Sequence, residues 1–252
     1  MANHFSLCTL LCLLWARGPG YNQDLLWSAP QLKISSWERP NPANQHWDFI
    51  KLSEEFVRLT LEKMGYQPDV QRFSNNRIYK MGLKQDFFGT FPWAQAAERE
   101  RDYFYSKRPL YAYGIVTVVH KDSPHRTLER SQVKSMASCE GLVSRLLQSK
   151  VAHIFHVSDH GQCIKMLVRQ RVDFIVYPEP MLDSLGPELK VVPNDFIKNV
   201  QVYFLVNKNY PDAKKLMDAF DRAFDSLEKE GVFQKIAVKA GFSAREYEEY
   251  VR

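Results

Sequence analysis

Apolar residues along this chain fall into two alternating rhythms. Phe49, Leu52, Phe56 and Leu59 recur at three- and four-residue steps with Glu54, Glu55, Arg58 and Glu62 between them, which predicts a helix with one buried stripe. Gly65 stands where the residue just past a helix should. Leu216, Phe220, Phe224 and Leu227 predict a second long helix closed by Glu230-Gly231, and Val232, Phe233 and Ile236 carry a last helix to Gly241. Shorter helical stretches fall at 75–82, at 142–147 through Leu142, Leu146 and Leu147, and at 161–169. Between them lie strand-like runs at 31–35 (Leu32 and Ile34 on one face), 70–73, 86–89, 111–120, 152–157, 172–177 and 200–207. Strands that alternate with helices predict an α/β fold.

Composition adds little to that picture. The chain has 252 residues, enough for one large domain or two lobes, and 45% of them are apolar. A formal charge of +5, spread along the chain, argues against nucleic acid and suits an anionic solute. The N-terminus stands apart. Residues 5–16 form an apolar run too short to span a bilayer, followed by Arg17-Gly18-Pro19-Gly20. This reads as a signal peptide over 1–20, with a buried N-terminal helix as the alternative. Cys8 and Cys12 would leave with it. Cys139 and Cys163 would remain, either as one disulfide or as two buried thiols.

The chemistry concentrates between Asp86 and Tyr111, where Glu98, Arg99, Glu100, Arg101 and Asp102 sit between aromatic clusters. This stretch resembles the type II periplasmic solute-binding proteins, the family that delivers polar amino acids to ABC importers. Its pattern there reads D-x-x-x-x-x-x-x-x-T-P-E-R-x-x-x-x-x-F-S-x-P-Y. Here Glu98-Arg99 stand at the E-R, Tyr105-Ser106 at the F-S, and Pro109-Leu110-Tyr111 at the P-Y. The 172–177 run and the C-terminal stretch ending L-E-K-E-G-V-F-Q-K-I carry further resemblance, so that it covers about residues 30–242.

The resemblance implies a two-lobed periplasmic-binding-protein-like (type II) α/β fold with two crossover hinge strands. Residues 111–120 would cross into the second lobe and 200–207 would return. Lobe one would be 30–112 plus 205–252, and lobe two 113–204. It also implies ligand-binding residues. Arg99 would clamp a ligand carboxylate through its planar fork of donors; the alternative is a solvated ion pair with Glu98 or Asp102. Trp37, in the loop after the first strand, would stack over the ligand or plug the lobe surface. Thr90 and Trp93 lie in a stretch that normally lends hydroxyls and is aromatic here, and Trp93 would stack with Trp37 on the apolar body of the ligand. Ser138 and Cys139 hold the positions of a Gly-Ser/Thr pair whose N–H groups meet the carboxylate at a helix start. The family's aspartate for an α-ammonium falls on Pro178, with Glu179 one residue later as its substitute.

His153, His156, His160 and Cys163 resemble metal ligands by type, but His153 and His156 lie three apart on a strand and so face opposite ways. No metal or cofactor is expected. No Gly-rich phosphate loop, H-E-x-x-H or G-x-S-x-G occurs. The resemblance accordingly implies a non-enzymatic, monomeric, periplasmic protein that captures a small organic acid or amino acid for an ABC permease in the inner membrane. A dehydratase or lyase on the same frame and a soluble sensing module are the alternatives.

Overall fold

The computed structural model describes residues 29–37, 48–124, 134–138, 151–157, 160–179, 182, 185–193 and 199–250. The signal peptide expected over 1–20, Cys139 and the helix expected over 142–147 lie outside them.

A parallel group opens the chain. β1 (Gln31–Trp37) pairs with β2 (Gln67–Phe73) and β3 (Gly89–Ala94). α1 (Asp48–Lys63) and α2 (Asn75–Gly82) connect them. The buried stripe of α1 is the one its periodicity predicts, with Phe49, Leu52 and Phe56 in the core. Gly65, at φ 85°, ends it: its N–H donates to Glu62 O and the Tyr66 N–H to Leu61 O, the paired bonds of a glycine-closed helix end.

A one-turn helix α3 (Ala97–Glu100) leads to β4 (Tyr103–Tyr105), and β5 (Tyr111–His120) follows. The second group comprises β6 (Ser135–Ser138), β7 (His153–His156), α4 (His160–Val168), β8 (Phe174–Pro178) and β9 (Leu189–Val192). β10 (Asn199–Asn207) then returns to the first group, and α5 (Ala213–Lys229), α6 (Val232–Lys239) and α7 (Ala244–Tyr250) complete the chain.

One curled sheet joins everything in the order β2-β1-β3-β10-β5-β8-β6-β7, with β4 also on β10 and β9 also on β5. Two antiparallel strands, β10 and β5, stand between the parallel groups. β5 changes partner within its length: Tyr111 to Gly114 pair with β10, Ile115 to Val119 with β8. The expected first crossover is therefore this strand. The segment 86–111 lies before it and stays with the first group, and Gly89, expected to end a strand, starts one instead.

The main core packs α1, α5 and α6 on one face of the first group. Phe204 stacks on Phe220 at 4.4 Å between ring centres, and Phe224, Phe233 and Phe56 continue the aromatic chain. Cys163 on α4 is a buried free thiol in a smaller core with Leu167, Val172 and Tyr177.

α5 also holds the loop after β4. Asp221 accepts the Lys107 N–H at 2.9 Å, and burial pushes its carboxyl above the usual range, a rise that this bond opposes. A raised folded value means the folded state keeps the proton longer than the unfolded one. The favourable contribution is thus full below the unfolded pKa and lost as pH rises through the folded one. Asp221→Asn keeps the acceptor for Lys107 without the buried charge. It should match or exceed wild-type stability at pH 7, with the advantage shrinking as pH falls through the carboxylate range, read from urea midpoints at each pH.

Candidate functional site

The register of the two central strands fixes how the parallel groups face each other. Ala94 at the end of β3 aligns with Val202, and Val202 with Tyr111. Pro178 at the end of β8 aligns with Ile115. β3 and β8 run in opposite directions, so their carboxyl ends point toward one another across the stretch of β5 from Tyr111 to Ile115, about 13 Å of extended chain. The other parallel strands follow suit: β1 and β2 end at Trp37 and Phe73, β6 and β7 at Ser138 and His156. Ligands of open α/β sheets lie outside the carboxyl ends of the strands. Here two such edges share one seam.

Alternation along the strands decides which face of the seam the described residues leave open. Tyr111 and Tyr113 share a face with Val200 and Val202. That face is covered, because Phe49 packs on Tyr111 at 5.1 Å, Phe242 on Phe49 at 4.8 Å, and α7 lies along β5. Ala112, Gly114 and Gln201 point the other way, on the face that carries Tyr203 and Trp93. Small residues therefore form the floor of the seam.

Arg99 stands at the first-group edge of this face. Its Nη1 donates to Ala94 O at 2.7 Å, and its guanidinium lies 4.5 Å from the centre of the Trp93 ring. The Tyr105 hydroxyl bonds to both the N–H and the O of Ala96, and burial raises the Tyr105 phenol while the Arg99 charge opposes the rise. Among the described residues no carboxylate pairs with Arg99. Asp102 takes Arg101 and the Tyr79 hydroxyl instead, which hold its carboxyl below the usual range. Tyr79, half-buried, is pushed up to about 12, by burial first and then by its bond to Asp102.

Thr90 and Trp93 are brought together under Arg99. Both are buried, and the Trp93 indole N–H donates to Thr90 Oγ1 at 2.9 Å. Residues three apart share a face because β3 carries an extra residue opposite β10, where Tyr203 and Leu205 face Trp93 and Thr90. Trp93 thus turns one ring face to Arg99 and meets Tyr79 edge-on at 5.8 Å.

The remaining expected residues are spread along both edges. Trp37 ends β1 beside Phe73. Ser138 ends β6 and is buried, while Cys139 lies outside the described residues. Glu179 is exposed, follows Pro178 and lies against Gly114 on the seam floor. Tyr105, Gln201 and Tyr203 also belong to this face, with the Tyr203 hydroxyl donating to Gln201 Oε1 at 2.8 Å. The sequence offered one signal for the floor: Ala112 and Gly114 interrupt a strand that is otherwise aromatic and β-branched.

No family model matches the chain, and no curated protein matches it in sequence. Solved structures do match in shape. The ligand-binding core of GluR0 from Nostoc punctiforme, in complex with L-glutamate, superposes with a TM-score of 0.65 at 16% identity, covering 83% of this chain and 99% of that one. The amino acid ABC transporter substrate-binding protein AbpA from Streptococcus pneumoniae, bound to L-arginine, gives 0.64 at 17%, covering 86% and 97%. EhuB in complex with hydroxyectoine gives 0.66 at 18%, covering 88% and 92%. This chain accordingly has the α/β fold of the two-lobed, type II periplasmic-binding-protein-like structures.

Proposed function

We propose that this protein is a non-enzymatic solute-binding protein that closes two lobes around a small carboxylate-bearing solute, an amino acid or another organic acid. The observation that carries the reading is Arg99: a guanidinium held by Ala94 and Trp93 at the mouth of a seam, without a carboxylate partner among the described residues. A cation fixed in that way meets an anion with little loss of side-chain freedom, and a planar fork fits a carboxylate. Two-lobed neighbours that bind glutamate and arginine support the same reading.

In this proposal lobe one is 30–112 plus 205–252 and lobe two 113–204, hinged where β5 and β10 cross. Arg99 takes the carboxylate. Thr90 and Trp93 hold Arg99, Trp37 covers the ligand, and the backbone N–H groups of Ser138 and Cys139 approach from the other edge. Glu179 faces any cationic group. The protein is exported to the periplasm by residues 1–20, acts as a monomer, and passes its solute to an ABC transporter permease.

Native mass spectrometry of protein purified without denaturation tests this, followed by a thermal-shift panel of amino and organic acids. A bound acid should appear, or be found by the panel. At one hundred times its dissociation constant it should add about 2.7 kcal/mol to folded-state stability. No co-purified small molecule and no stabilising acid would speak against solute binding.

A further inference from the structure

Gly114 sits where β5 leaves β10 for β8, at the pivot between the two groups of strands. It is not there for its backbone: its φ is outside the left-handed region, and any residue could adopt it. What lies against the bare Cα is Glu179. A Cβ on residue 114 would lie 1.9 Å from Glu179 Oε2, 3.0 Å from its Cδ and 3.3 Å from its Cβ, so the side chain of Glu179 lies along the bare Cα. Among the described residues no hydrogen bond or ion pair is made by Glu179, and this seat is the contact that places it. The seat is on the open face, between Ala112 and Val116 on the same strand, while the opposite face is packed by Phe49, Phe242 and α7.

We propose that Gly114 is the closure residue of the hinge: its missing side chain is the slot into which Glu179 folds, and that slot lets the seam narrow. The inference rests on the proposal that the lobes close. A methyl group at 114 turns the exposed, rotatable Glu179 carboxylate out of the slot, into the space between the two edges that closure would fill. There it acts as a wedge, and the lobes stay apart.

Small-angle X-ray scattering of the full chain saturated with the solute found by mass spectrometry tests this. Gly114→Ala should show a larger radius of gyration than wild type, and Gly114→Ala with Glu179→Gly should return to the wild-type value. Unchanged dimensions in Gly114→Ala, or an increase that persists in the double variant, would overturn the proposal. Should Gly114→Ala fail to fold, the double variant decides: a folded protein of wild-type size supports the slot, and an unfolded one shows that the glycine serves something other than Glu179. Calorimetry on the solute found by mass spectrometry keeps the two readings apart. A Gly114→Ala protein that binds this solute at wild-type dimensions sinks the wedge and leaves solute binding standing.

Discussion

Phe220→Ala should lower folding stability by about 3–5 kcal/mol, the scale of deleting a fully buried aromatic ring. Phe220 has no exposed surface and joins α5 to the sheet through Phe204, stacked at 4.4 Å with planes 21° apart. Phe204 in turn lies on β10, against Phe88 and Phe91. Its neighbours sit on a strand, a helix and the start of β3, so they cannot collapse together into the gap, and a cavity remains. Urea unfolding should show a lower midpoint with little change in slope. Phe220→Leu should recover part of the loss, because it refills some of the volume.

Gly89→Ala should cost about 3 kcal/mol, the upper range for forcing extra volume into a packed core. A Cβ there would lie 2.4 Å from the Leu205 carbonyl oxygen and 2.8 Å from the Phe204 ring. The first atom is backbone in the paired strand, so no side-chain rotation relieves it. β3 would have to part from β10 at the register that aligns Gly89 with Val206. Hydrogen exchange should therefore speed up along β3 and β10 before it does in α1. An alanine tolerated at wild-type stability would mean that β3 and β10 have room for a methyl group between them.

Much of the fold was legible because strong periodicity leaves little choice. The stripes of α1 and α5 fix their buried faces, Gly65 marks a helix end, and the aromatic and β-branched residues of β5 and β10 suit strands buried between two groups. The elements that escaped are those whose burial comes from elsewhere. β4 is three residues long and exists because β10 offers it an edge, and β9 depends in the same way on β5. α7 is polar in sequence and docks through Tyr247, whose hydroxyl donates to Glu228 at 2.5 Å. β3 contains Pro92, which reads as a break, and its extra residue opposite β10 cannot be seen in one strand alone.

The site divides along the same line. Arg99 could be singled out from its neighbours in sequence, and its segment does lie beside the seam. The part played by Trp93 could not, since it depends on that extra residue in β3. Spacing places an aromatic near an arginine; only the fold decides whether the ring faces a ligand or the guanidinium. The slot at Gly114 lies between: Glu179 could be singled out in sequence, but not that its side chain lies against Gly114.

Isothermal titration calorimetry with the co-purified solute, on wild type and Arg99→Ala, bears most directly on the idea of a seam that traps an acid on one fixed guanidinium. Affinity should fall by about 1.5–3 kcal/mol, roughly 10- to 150-fold, the contribution of a charged hydrogen bond. An Arg99→Ala protein that folds normally and binds the solute as tightly as wild type would contradict it.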